Sequence, residues 1–433
     1  MAGPAVTSAR PIGILAGNGS LPVEIARAIV ARGGKVRIVA INADVDKDLA
    51  AFDLTAAGLG QIGAILAAFR KAGCRDLVIV GGVSRPDLAQ LTPDFGVIAN
   101  LPDVVRVLMS GGDDSVLRAV VRFFEAKGFT VVSPAEIAPD LVVGAGSLTA
   151  TAPTIADIQD ILLGSRVVKA LGAFDVGQAA IVAGGELIAI EAAEGTDRML
   201  QRVGQLRQQS GPTRATRGVL VKRPKPTQEM RVDLPAIGPA TVERAAQAGL
   251  AGIAVLAGQT LAAQRGELLA RAHASGLFVY GFTEGDTVRA AASEPWAGAD
   301  ARLLGRQAAG KTQLQDARLG AVALGALGDL ARLGAAVVHR GHVLSLETAG
   351  DVCGLIQRAA LLKQWGEGRW RRRVGVLVLG AGATVDAAMV SSAGAAHLAG
   401  VAVMGQDIHD DRIVAAANDA GLSLVQLTLT EPP

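Results

Sequence analysis

The side chains best equipped for chemistry crowd into one stretch, Gly218 to Gly238, which holds Lys222, Lys225, Gln228, Glu229, Arg231 and Asp233. Cations at this density neutralise phosphate or carboxylate groups, and carboxylates among them suit acid, base or metal work. The element that must position them opens as a strand, because Val219, Leu220 and Val221 form a short apolar run. Pro224 and Pro226 then stop regular structure, each removing a backbone donor and restricting the residue before it. Pro239 and Thr241-Val242-Glu243 start the next helix. A strand that ends in a rigid charged loop before a helix is where α/β proteins place their chemistry. Val232 and Leu234 flank Asp233 as apolar anchors, which ranks function above a plain solvated connection.

Histidine does not share this work. His273 is the single histidine in the first 283 residues, so no Ser-His-Asp or histidine-metal site is expected there. His339, His342, His397 and His409 lie later and read as loop and strand-end positions rather than ligands. Forty-two Lys and Arg against forty Asp and Glu leave a net charge of +2, so no field recruits nucleic acid. Cys74 and Cys353 make no disulfide framework, which fits a reducing cytoplasm. The N-terminus lacks an apolar h-region, and no apolar run reaches the roughly 20 residues of a membrane span. A soluble cytoplasmic protein of two or three domains is expected from 433 residues.

The scaffold around the charged stretch reads as α/β. Strand Pro11–Ala16 leads into Gly17-Asn18-Gly19-Ser20-Leu21-Pro22, then a helix to Ala31 and a strand at Lys35–Ile41. That is a cradle for phosphate at a helix N-terminus, although Leu21-Pro22 interrupts the dinucleotide fingerprint. A second Gly loop, Gly81-Gly-Val-Ser84-Arg85-Pro-Asp87, follows the strand Asp76–Val80. Two such loops at one edge of a parallel sheet face one crevice, so a Rossmann-like parallel-sheet domain is expected over residues 1–138. A second α/β domain, residues 139–283, carries the charged stretch. It runs helix Ile155–Leu171, strands Gln178–Val182 and Glu186–Ala192, helix Thr241–Ala248, strand Ala251–Leu256, helix Leu261–Ala274 and strand Leu277–Tyr280.

Residues 284–309 read as a linker, and residues 310–433 repeat residues 155–283. At a spacing of 156, Gln159-Asp160 matches Gln315-Asp316, Gly164 matches Gly320, Leu171-Gly172 matches Leu327-Gly328 and Glu191 matches Glu347. Gly218-Val-Leu-Val recurs as Gly375-Val-Leu-Val378, and Leu250-Ala-Gly-Ile-Ala-Val255 as Leu398-Ala-Gly-Val-Ala-Val403. Conserved order with small gaps marks a duplicated domain. The gap falls on the charged stretch, and Gly350-Asp-Val-Cys353 replaces Glu194-Gly-Thr-Asp197. The later copy therefore reads as degenerate and non-catalytic, packing against the first or forming an interface.

Five motifs in order then resemble the LpxI family of UDP-2,3-diacylglucosamine pyrophosphatases. They are Gly17-Asn-Gly-Ser-Leu-Pro22, Gly82-Val-Ser-Arg-Pro-Asp87, Gly112-Asp-Asp-Ser-Val-Leu-Arg118, Glu194-Gly-Thr-Asp197 and Lys225-Pro-Thr-Gln-Glu-Met-Arg-Val-Asp-Leu-Pro-Ala-Ile-Gly238. The resemblance covers residues 11–283 and implies two domains, with Mg²⁺-dependent hydrolysis of the UDP-sugar diphosphate to UMP and 2,3-diacylglucosamine 1-phosphate (lipid X) in lipid A biosynthesis. It implies Asp233 as the catalytic carboxylate. Glu229 stands where the family commonly carries Asp. Asp233 with Glu229, Asp197 or Glu194 is the expected Mg²⁺ set. Gly17, Asn18, Gly19, Ser20, Leu21, Ser84, Arg85, Thr196, Lys222, Gln228 and Arg231 are the expected substrate contacts. Peripheral contact with the inner membrane surface and a homo-oligomer complete the expectations. The rival reading is a non-catalytic UDP-sugar or dinucleotide-binding regulator that uses the charged loop as a ligand clamp.

Overall fold

The computed structural model describes residues 10–41, 46–83, 113–209, 217–287, 298–348, 350–366, 373–405, 408 and 410–430. They form two compact units. The first comprises residues 1–145, 227–242 and 256–272, and the second residues 146–226, 243–255 and 273–433.

In the first unit, β1 (Ile12–Ala16), β2 (Val36–Ala40), β3 (Leu54–Ala56), β4 (Asp76–Val80) and β5 (Thr130–Val131) make one parallel sheet in the order β3-β2-β1-β4-β5. Every residue of β1 is buried, as a parallel strand covered on both faces must be. Ile14, Ile25, Ile29 and Ile38 pack one face with helix Leu21–Ala31. Helices Ile62–Ala72 and Asp113–Ala126 cover the other, where Phe69, Phe124 and Phe129 meet edge to face at 6.2 and 6.3 Å. Strand order reverses between β1 and β4, which is the switch point where α/β sheets bind ligands.

The chain continues through β6 (Gly146–Ser147), β7 (Ala179–Ala183), β8 (Glu186–Ile190), β9 (Val219–Lys222), β10 (Ala236–Ile237), β11 (Gly252–Leu256), β12 (Leu261–Ala262) and β13 (Phe278–Phe282). Six of these form a sheet ordered β6-β13-β11-β9-β7-β8. The connecting segment after residue 139 thus supplies an edge strand, β6, antiparallel to β13. β10 and β12 form their own short parallel ladder. The helix expected from Leu261 begins instead at Arg265, because the Leu261 and Ala263 amides donate to the Pro235 and Ile237 carbonyls.

The third sheet repeats the second. Its strands are β14 (Gly298–Leu303), β15 (Ala335–His339), β16 (His342–Glu347), β17 (Val376–Leu379), β18 (Gly400–Met404) and β19 (Ser423–Thr430), in the order β14-β19-β18-β17-β15-β16. The directions match at the antiparallel edge (β6–β13, β14–β19), the parallel pair (β9–β11, β17–β18), the antiparallel pair (β7–β9, β15–β17) and the terminal hairpin (β7–β8, β15–β16). Even the bulge recurs, between Ile181 and Val182 and again between Val337 and Val338. Asp160 accepts from the Gly184 and Gly185 amides at 2.9 and 2.7 Å, and Asp316 from those of Arg340 and Gly341 at the same distances. A Cβ on Gly164 would lie 2.7 Å from Val221, and one on Gly320 2.6 Å from Val378. In both copies only glycine lets the helix approach its sheet so closely. Among the described residues no helix is long and apolar enough to cross a membrane.

Candidate active site

The charged stretch divides between the two units. From Thr227 onward it belongs to the first. There Val232 packs against the cluster of Phe69, Phe123, Phe124 and Phe129, the Arg118 guanidinium donates to the Thr227 carbonyl at 3.3 Å, and Ser133 Oγ to the Met230 carbonyl at 3.2 Å. A tight turn follows, with the Val232 and Asp233 amides both donating to the Glu229 carbonyl. Arg231 forks onto Glu229, Nε to Oε1 and Nη2 to Oε2 at 2.8 Å each, and reaches Glu125 Oε1 at 2.7 Å through Nη1. Those Arg231 hydrogen bonds hold the Glu229 carboxyl below its ordinary pKa and raise that of Arg231. Gln228 is buried, and its Nε2 donates to both the carbonyl and Oδ2 of Asp233, at 2.6 and 2.7 Å. Asp233 is thus oriented by a neutral amide on a loop tied at both ends to the core.

In the same unit the Gly17 loop and the Gly81 loop close on each other at the switch point. The Gly17 amide donates to the Val80 carbonyl, and the Asn18 and Gly82 amides exchange bonds with each other's carbonyls at 2.7 and 2.9 Å. A Cβ on Gly17 would sit 2.5 Å from the Gly82 carbonyl oxygen, so glycine is obligatory there. Gly19 adopts φ +98° with open space at its Cβ position. Ser20 Oγ turns to Glu24 Oε1 at 2.7 Å instead of capping the helix, and Leu21 opens that helix with Pro22 in its first turn. Ser84 and Arg85 lie outside the described residues.

The second unit holds the remaining expected residues. Lys222, buried at the end of β9, donates from Nζ to Thr196 Oγ1 at 3.3 Å. Glu194 Oε1 takes Arg202 Nη2 at 2.6 Å, and Asp197 Oδ1 faces Arg244 Nη1 at 3.0 Å. Two arginines here were not singled out from sequence. Arg223, only 5% exposed, binds Ser165 Oγ at 2.9 Å and pairs with Glu284, and its buried Nε lacks a partner among the described residues. Its place beside Lys222 at a strand end was the available signal. Arg202 lies on helix Thr196–Gln209, eight residues beyond Glu194 in the turn before it, a spacing that no local pairing rule would flag.

The four expected metal carboxylates are shared between the two units. Asp233 and Glu229 belong to the first unit, Glu194 and Asp197 to the second. Glu229, Glu194 and Asp197 are matched by Arg231, Arg202 and Arg244. Among the described residues no group of three or more His, Cys, Asp or Glu side chains is arranged to hold a metal.

The models of the LpxI N-terminal domain and the LpxI C-terminal domain match residues 11–141 and 144–280. The UDP-2,3-diacylglucosamine pyrophosphatase LpxI of Caulobacter vibrioides is 40% identical over 273 residues, which are 63% of this chain and 97% of that relative. With both domains matched in order, and a relative of this identity aligned almost end to end, the chain belongs to the LpxI family.

Proposed function

We propose that this chain hydrolyses the diphosphate of UDP-2,3-diacylglucosamine, releasing UMP and lipid X for lipid A biosynthesis, with Asp233 essential. The observation that carries the reading is the loop that presents Asp233. The first copy has it, the duplicate lacks it, and it lies within residues 144–280, which the LpxI C-terminal domain model matches.

In this reading Asp233, turned by the Gln228 amide, supplies the anionic group next to the reacting phosphorus. Gly17, Asn18, Gly19, Ser20 and Leu21 offer backbone donors and a helix N-terminus to the nucleotide phosphate. Lys222, Arg231 and Arg85 neutralise charge on the diphosphate, Thr196 orients Lys222, and Ser84 contacts the nucleotide. Bound Mg²⁺, held by Asp233, would neutralise non-bridging oxygens and lower the pKa of a bound water. Hydrolysis breaks one P–O bond of the anhydride and transfers the water oxygen to phosphorus, so no redox partner is needed. The acyl chains of the substrate place the work at the cytoplasmic surface of the inner membrane.

The test is UMP release from the diacyl UDP-sugar by the full chain, with and without EDTA. Release that EDTA stops, and that Asp233→Ala abolishes while circular dichroism is unchanged, supports the reading. Tight binding of the substrate without turnover under any divalent metal would replace it with the binding-regulator reading.

A further inference from the structure

The two copies in the second unit share one apolar cluster, and they enter it through the same face. Val168, Val182 and Ile190 of the first copy are buried in it, and so are Leu324, Val338 and Leu346, which lie 156 positions later in each case. The edge strands that touch are also equivalents, β8 against β16. A surface that meets its own counterpart is the signature of an isologous contact about a two-fold axis.

Two polar contacts join the copies. Thr348 Oγ1, the residue after β16, donates to the Leu187 carbonyl of β8 at 3.2 Å. Arg202 Nη1 of the first copy lies 3.9 Å from Glu347 Oε2 of the second. Glu347 matches Glu191 at the 156-residue spacing, so a second first copy would offer Arg202 the same carboxylate. Glu191 is itself buried, like Glu347. The relative from Caulobacter vibrioides, aligned over 97% of its length to 273 residues of this chain, has no room for the duplicate.

We infer that residues 298–430 occupy the place of a second copy of this chain's own 146–283 region across a pseudo-two-fold axis. The chain thereby satisfies within itself an interface that residues 1–283 alone would satisfy by homodimerising. The duplicate is a built-in partner that fixes one charged loop per pair of scaffolds.

The experiment compares the full chain with a chain ending at residue 283, by light scattering during size exclusion at micromolar concentration. The shortened chain is expected to run at the mass of two chains, and Leu187→Glu, at the edge strand, to return it to one with its circular dichroism retained. In the full chain the same substitution leaves the number of chains per particle unchanged. A shortened chain that is folded and monomeric overturns the inference, as does a dimer indifferent to Leu187→Glu. A full chain whose association state follows Leu187→Glu also overturns it. Should the shortened chain be insoluble, residues 284–433 co-expressed as a separate chain must restore a soluble one-to-one complex, and failure to do so counts against the inference.

Discussion

The second and third sheets run in the same order with the same pairings, yet they part company where their central strands end. In the first copy β9 ends at Lys222 and the next helix begins at Pro239, leaving 16 residues between. In the duplicate β17 ends at Leu379 and the helix begins at Ala387, leaving 7. The missing nine (16 − 7) correspond to the Asp233 loop and its short strand β10. The duplicate closes the gap with a glycine turn, the Gly380 and Gly382 amides donating to the Gly334 and Arg332 carbonyls. A scaffold that persists without the loop does not need it for folding. The loop's buried Gln228 and its forked Arg231 are therefore better explained by the orientation of Asp233 than by the stability of the sheet.

The largest expected effect separates two aspartates. Asp233→Ala should cut UMP release by about 10²–10³-fold or more, the loss typical of removing a group that stabilises charge at the reacting centre. Asp386, whose Oδ1 accepts from the Met389 amide at 2.7 Å as an N-cap, should behave differently. Asp386→Ala should leave turnover intact and cost about 1 kcal/mol in chemical denaturation.

Asp160→Ala and Asp316→Ala should instead look alike. Each removes an acceptor from two backbone amides, and each should cost about 1–3 kcal/mol in the same measurement. A large inequality would mean that the copies differ in the scaffold as well as in the loop.

A smaller effect comes from Glu229. Its pKa is depressed by the Arg231 hydrogen bonds, so its contribution to stability is present above the ordinary carboxylate pKa. That contribution is lost as the pH falls through the lowered folded value. Limited proteolysis between residues 227 and 235 should accelerate in that acid range, and Glu229→Gln should flatten the pH dependence. The smallest effect contrasts the cysteines. Burial pushes the Cys74 thiol up to about 11, whereas Cys353 is exposed. At pH 8 alkylation should label Cys353 first and reach Cys74 only in denaturant, as read by intact mass.

Local chemistry settled much of this molecule. Helix Leu21–Ala31 follows from its apolar period and Pro22, β4 from an uninterrupted apolar run, and the duplication from residues that recur at one spacing. The charged loop was also legible locally, because Pro and charge patterns need no distant partner to be recognised, while Asp233 was singled out within it by the family resemblance. Tertiary structure decided the rest. Leu261-Ala262 is too short an apolar run to tell strand from helix, and its pairing with Ala236-Ile237 chose for it. Val232 takes its place among phenylalanines about a hundred residues earlier, so the loop belongs with the first sheet although it leaves the second. Arg202 and Arg223 gained their roles only when folding brought carboxylates to them. Periodicity and turn chemistry are properties of neighbours in the chain, whereas ion pairs and shared cores depend on distances that the fold alone sets.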